Sequence, residues 1–97
     1  MEQKVALVTG SASGIGAATA KLLAQKGWRV VINYARSEAQ AREVAAACPG
    51  SVVVQADVSD DAQCRRLVES AVKECGRLDA LVNNAGTTRF VTHANLD

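Results

Sequence analysis

The stretch Thr9-Gly10-Ser11-Ala12-Ser13-Gly14-Ile15-Gly16 follows the apolar run Val5-Ala6-Leu7-Val8 and opens a helical pattern. Three glycines at a strand-to-helix turn let the main chain come close to an anion. The N–H groups of a helix's first turn point at such an anion, and the positive end of the helix dipole lies beside it. In a strand–turn–helix setting the anion that fits is a pyrophosphate. The spacing is G-x-x-x-G-x-G, not the commoner G-x-G-x-x-G. Alone, the stretch also reads as a plain glycine turn. The strand before it, the helix after it and a second motif downstream favour the phosphate reading.

Outward from this turn, strand and helix signals alternate. Residues 4–9 read as a buried strand. Residues 14–26 read as a helix with Ile15, Ala18, Leu22 and Leu23 on its apolar face and Lys21 and Gln25 opposite; Gly27 ends it. Residues 29–33 are a second strand. Ser37 and Gln40 have the spacing of a capping box for the next helix, which buries Ala41, Val44, Ala45 and Cys48 and stops at Pro49-Gly50. Residues 52–55 are a third strand. Ser59 or Asp60 starts the third helix, where Cys64, Leu67, Val68, Ala71, Val72 and Cys75 repeat at helical spacing; Gly76 ends it. Residues 78–83 are a fourth strand.

The order is β-α-β-α-β-α-β. Crossovers of this length join parallel strands, and nearly all are right-handed. The expected fold is α/β: the first half of a Rossmann-like doubly wound parallel sheet, strand order 3-2-1-4. The fourth strand lies at a sheet edge with its apolar side uncovered. Residues 1–97 are therefore expected to be the amino-terminal part of a single domain that continues beyond Asp97.

Composition narrows the function. Net charge is +1 with both signs interspersed, so no basic stripe offers itself to a nucleic-acid backbone. Aromatic residues are Trp28, Tyr34 and Phe90, too few for a base-stacking surface. The apolar runs are too short to span a bilayer, and no export segment opens the chain. Neither nucleic acid nor membrane is an expected partner, and a soluble cytoplasmic protein is the expectation. Cys48, Cys64 and Cys75 form no C-x-x-C pair and fall on apolar helix faces, where they read as buried small hydrophobes. His93 has no second imidazole near it in sequence and reads as a surface residue. No metal site is expected.

Two more strand ends carry motifs: Asp57-Val58 after the third strand and Asn83-Asn84-Ala85-Gly86 after the fourth. With Thr9-Gly10-x-x-x-Gly14-x-Gly16 they make the chain resemble the short-chain dehydrogenase/reductase family over almost its whole length. The similarity is to the single-domain branch that includes the 3-oxoacyl-carrier-protein reductases. Each motif sits at the carboxyl end of an expected strand, where open parallel sheets bind their ligands. Gly10, Ser11, Ser13, Gly14, Ile15 and Gly16 are the candidate phosphate cradle. The resemblance implies that Asp57 accepts a hydrogen bond from the adenine amino group and that Val58 lines the adenine pocket. It also implies that Asn84, Ala85 and Gly86 pass beside the ribose, while Asn83 braces the sheet. A turn role remains open for Asp57.

The second strand bears on the cofactor. An NAD-binding fold usually ends this strand with an acid that bonds the ribose 2′-hydroxyl. Here the segment reads Val31-Ile32-Asn33-Tyr34-Ala35-Arg36-Ser37, with no acid at the strand end. A guanidinium can fork onto a 2′-phosphate, and Ser37 can donate a hydroxyl. NADP(H) is expected over NAD(H), although Arg36 also reads as a solvated loop charge. Some NADP-binding relatives carry a base just before the second motif glycine, where Ser13 stands.

The family's chemistry uses a Tyr-x-x-x-Lys pair with a Ser and an Asn. This chain's one tyrosine, Tyr34, is followed four residues later by Glu38. No catalytic residue is therefore expected within residues 1–97. The resemblance implies hydride transfer between a nicotinamide and a small-molecule carbonyl or secondary alcohol, in a homotetramer or dimer. The alternatives are a non-catalytic dinucleotide-binding module and a truncated product.

Overall fold

In the computed structural model, which describes residues 3–84, strands and helices alternate without exception. The elements are β1 (Val5–Val8), α1 (Gly14–Gln25), β2 (Arg29–Tyr34), α2 (Glu38–Ala46), β3 (Val52–Gln55), α3 (Asp61–Cys75) and β4 (Ala80–Val82). All strand pairs are parallel, in the order β3-β2-β1-β4. Leu7 of β1 stands in register with Val31 of β2 and Leu81 of β4. The chain winds outward from β1 to β3, then returns to the other side of β1. That reversal defines the switch point at which doubly wound sheets open a crevice.

Each face of the sheet has its own core. Val8, Val30 and Ile32 meet Ala17 and Ala20 of α1 and Ala41 and Val44 of α2. Val5, Leu7 and Val31 meet Leu67 and Ala71 of α3. A sheet covered on both faces explains why β1 and β2 are apolar runs instead of alternating ones. Leu67 is fully buried, and removing its side chain from water stabilises the fold by about 1.5–3 kcal/mol.

The face buried by α1 differs from the sequence expectation. Gly16, Ala17 and Ala20 face the sheet, whereas Ala18 is exposed, Leu23 is half-buried, and Ile15 and Leu22 are 77% and 52% exposed. The reason is close approach. A Cβ at Gly16 would overlap the Gly10 carbonyl oxygen and the Asn84 amide nitrogen. Only small residues fit where this helix is closest to the sheet, so Ile15 and Leu22 point away while Leu23 packs against the edge of the core.

Two further expectations need correction. Ser37 precedes α2, but its side chain makes no capping bond, so the capping box does not form. Helix α2 ends at Ala46, and Cys48 is buried from the bend that follows. Helix α3 begins after Asp60 and ends at Gly76. Cys64 and Cys75 are half-buried against the core, and burial pushes the thiols of Cys48 and Cys75 above the usual cysteine range. Phe90 and His93 lie outside the described residues.

Candidate functional site

The carboxyl ends of β1 and β2 carry three buried polar residues, Thr9, Ser11 and Asn33. No buried side-chain nitrogen or oxygen among the described residues lacks a partner. The Thr9 hydroxyl accepts the Asn84 N–H at 2.8 Å and lies 3.2 Å from the Asn83 Oδ1, so it ties β1 to the end of β4. The Ser11 hydroxyl donates to the Val8 carbonyl at 2.7 Å and accepts the Asn33 N–H at 2.9 Å. Its side chain is thus turned into the protein. Asn84 Nδ2 donates to the Gly10 carbonyl at 3.3 Å.

Above this layer the glycine turn is open. Gly14 has φ +61° and nothing within contact distance of where a Cβ would stand. That left-handed conformation costs other residues about 1–2 kcal/mol. Ser13 is exposed, precedes α1, and makes no side-chain capping bond. The first-turn N–H groups of α1 are therefore not closed by a side chain of their own N-cap, which is the geometry that accepts an anion.

A cavity of about 300 Å³ adjoins the turn, lined by Gly10, Asn33, Ala35, Ala56, Asp57, Val58 and Ser59. The Asp57 Oδ1 accepts the Ser59 hydroxyl at 2.6 Å and the Ser59 N–H at 3.0 Å, and the Asp57 N–H donates to Gln63 Oε1 at 2.8 Å. These bonds from Ser59, with a smaller contribution from the charge of Arg36, hold its carboxyl below the usual carboxylate range. Asp57 is thus both a turn residue and a charged, exposed acceptor at the cavity wall. Val58 is buried, packs into the core below and lines the cavity above. Arg36 and Ser37 are exposed on the loop after β2. Arg36 makes no ion pair among the described residues.

The structure thus brings Gly10, Asp57 and Val58 to one cavity, with the turn of Ser13, Gly14, Ile15 and Gly16 beside it. Asn84 is joined to Gly10, and Ala85 and Gly86 lie outside the described residues. Among the described residues no cluster of three or more metal-ligating side chains occurs. Among the same residues no helix is long and apolar enough to cross a membrane.

Sequence reasoning missed two polar residues that shape this molecule. Asn33 was noted only as not being an acid, yet it bonds three strand ends together. Its signal was a lone amide closing an otherwise apolar strand. Asp79 accepts the Val5 N–H at 2.8 Å and a forked contact from Arg77 at 2.7 and 2.8 Å, which locks the amino end of β1 to the start of β4. The Arg77 contact, then the Val5 N–H, holds its carboxyl below the usual range. A larger open depression of about 620 Å³ lies at this amino rim. Its polar groups are already engaged: Arg77 with Asp79, Arg29 with the Gly50 carbonyl, Gln3 with the Gly27 carbonyl. It offers a ligand little.

Comparison with known proteins agrees with the geometry. The short chain dehydrogenase family matches residues 4–97. A protein named as a ketoacyl reductase of the granaticin polyketide synthase in Streptomyces violaceoruber is 57% identical over 95 residues, which cover 98% of this chain and 38% of that protein. The 3-oxoacyl-acyl-carrier-protein reductase FabG of Staphylococcus aureus is 42% identical over 90 residues, 89% of this chain and 37% of the relative. A crystal structure of a short chain dehydrogenase from Burkholderia cenocepacia in complex with NADP superposes with a TM-score of 0.84 at 40% identity, over 99% of this chain and 41% of that one. The chain spans about two fifths of the length of these proteins. On its parallel 3-2-1-4 sheet, its glycine turn and a family match from residue 4 to residue 97, this chain belongs to the short-chain dehydrogenase/reductase family.

Proposed function

We propose that this chain is the amino-terminal, cofactor-binding part of a single NAD(P)-binding domain in an oxidoreductase that uses NADP(H). The reaction class is hydride transfer between the nicotinamide and a carbonyl or secondary alcohol of a small molecule. The observation that carries this reading is the pairing of an open glycine turn with a cavity lined by Asp57, whose carboxyl feels the charge of Arg36, a cation with no ion-pair partner among the described residues. The NADP bound by the Burkholderia cenocepacia relative supports it.

The residues present fit such a group. The main chain of Gly10, Ser13, Gly14, Ile15 and Gly16 faces the pyrophosphate, with Ser11 shaping the turn from inside. Asp57 accepts from the adenine amino group through Oδ2, since Ser59 takes only Oδ1. Val58 covers one side of the base, and Arg36 and Ser37 take the 2′-phosphate. Asn84 holds its backbone beside the ribose through Thr9 and Gly10. When bound, NADPH supplies the hydride. These residues bind and orient it, and none of them is proposed as the acid or base.

The test is a titration of the full-length protein with NADPH and NADH. A charge-assisted contact contributes about 1.5–3 kcal/mol. Arg36→Ala is therefore expected to weaken NADPH about tenfold to a hundredfold and to leave NADH nearly unchanged. Equal losses for the two cofactors would overturn the assignment of Arg36.

A further inference from the structure

Asn33 closes β2 where the cavity begins. It is 2% exposed. Its Oδ1 accepts the Gly10 N–H at 2.9 Å. Its Nδ2 donates to the Ala56 carbonyl at 3.1 Å and to the Val54 carbonyl at 3.3 Å. Its main chain is tied as well: the N–H donates to Ser11 Oγ and the carbonyl accepts the Ser11 N–H, both at 2.9 Å. Gly10 and Ala56 come from different strand ends, and both line the cavity that Asn33 also lines.

We infer that Asn33 is a positioning residue for the dinucleotide: its neutral amide, accepting at one end and donating at the other, clips the Gly10 turn to the segment after β3 and so sets the width of the adenosine cavity. The inference rests on the cofactor reading above and concerns a residue that touches no ligand itself, because its polar groups are all engaged within the protein. The demand on this position is chemical as well as geometric. One end meets an N–H and the other meets three carbonyl oxygens, those of Ala56, Val54 and, at 3.4 Å, Tyr34. A carboxylate has no donor for the carbonyls, a hydroxyl side chain is too short to reach both loops, and an aliphatic one leaves buried groups unbonded.

This polarity makes a pH test possible. Of the elements packed on β2, β1 and β3 carry no titratable side chain. Helix α1 carries Lys21, and α2 carries Glu38, Arg42 and Glu43, all exposed. The neighbouring loops add Asp57 and Arg36, and β2 itself adds Tyr34 and, at its opposite end, Arg29. A carboxyl placed at position 33 faces carbonyl oxygens with little water, so its pKa is raised. Acid then protonates it and restores a donor toward Ala56.

The experiment measures NADPH dissociation constants for full-length wild type and Asn33→Asp at about pH 8 and about pH 5.5, values that bracket a raised carboxyl pKa. At the higher pH the variant is expected to bind about tenfold or more weakly than wild type. At the lower pH the ratio falls several-fold toward one. A ratio near one at both values overturns the inference, and so does a large ratio that does not change with pH. Asn33→Ser, uncharged and too short, keeps the test decisive if the aspartate variant does not fold. It is expected about tenfold weaker at both pH values, and wild-type affinity in it overturns the inference. Wild type that fails to bind NADPH overturns the cofactor reading itself, and this inference with it.

Discussion

Helices α1 and α3 start on the same rim of the sheet, yet their first turns are treated differently. Asp60 closes α3: its Oδ1 accepts the Ala62 N–H at 2.9 Å and the Gln63 N–H at 3.3 Å. Ser13 stands at the same place before α1 and makes no such bond. Every helix begins with N–H groups that have no partner inside it. In α3 the chain satisfies two of them itself. In α1 it leaves them facing outward beside two glycines, one with an open Cβ position and one pressed against the sheet. The difference separates a helix start closed by its own side chain from one left without a side-chain cap, which the proposed function gives to the cofactor's pyrophosphate.

The sharpest way to break the comparison is at the two glycines. Gly16→Ala puts a methyl group into the Gly10 carbonyl and the Asn84 amide, so α1 must move off the sheet. A loss of about 3 kcal/mol of stability is expected, at the upper end of overpacking costs. Gly14→Ala meets no atom and faces only its left-handed backbone, a cost of about 1–2 kcal/mol. Denaturant unfolding of the two variants measures both losses. A Gly14 variant less stable than the Gly16 variant would mean that α1 is not held this closely to the sheet.

The helix starts themselves give smaller effects. Asp60→Ala removes the cap of α3 and is expected to cost about 1 kcal/mol, read as a lower unfolding midpoint at unchanged slope. Ser13→Ala removes a hydroxyl that caps nothing, so its stability is expected to stay within about 0.5 kcal/mol of wild type in the same assay. Equal losses at Asp60 and Ser13 would show that α1 is capped in solution and that its first turn is not left open.

Much of the fold was legible because its signals are local. The helical repeat from Cys64 to Cys75 predicted α3, and the apolar runs at Val5-Ala6-Leu7-Val8 and Val52-Val53-Val54 predicted strands that the structure contains. Among the proposed site residues, Gly10, Gly14, Asp57 and Val58 were marked by spacing and by their place after strands. The direction of the Ser11 side chain was not legible, because a serine in a phosphate-type turn looks the same whether its hydroxyl faces a ligand or, as here, the Val8 carbonyl. For α1 the expected apolar face was overturned. Residue size suggested that Ile15 and Leu22 face the core, but the distance between helix and sheet admits only Gly16, Ala17 and Ala20 there.

The sequence by itself determined the order of elements, the parallel 3-2-1-4 sheet and the family. Each follows from periodicity, from crossover length and handedness, and from motifs a few residues long. Tertiary structure alone decided what joins distant segments. Asn33 meets Gly10 across 23 residues and Ala56 across 23 more, and Asp79 meets Val5 across 74. The physical reason is that a buried polar group must find its complement somewhere. Which complement it finds depends on how closely the helices and strands pack, a distance that no local pattern of residues encodes.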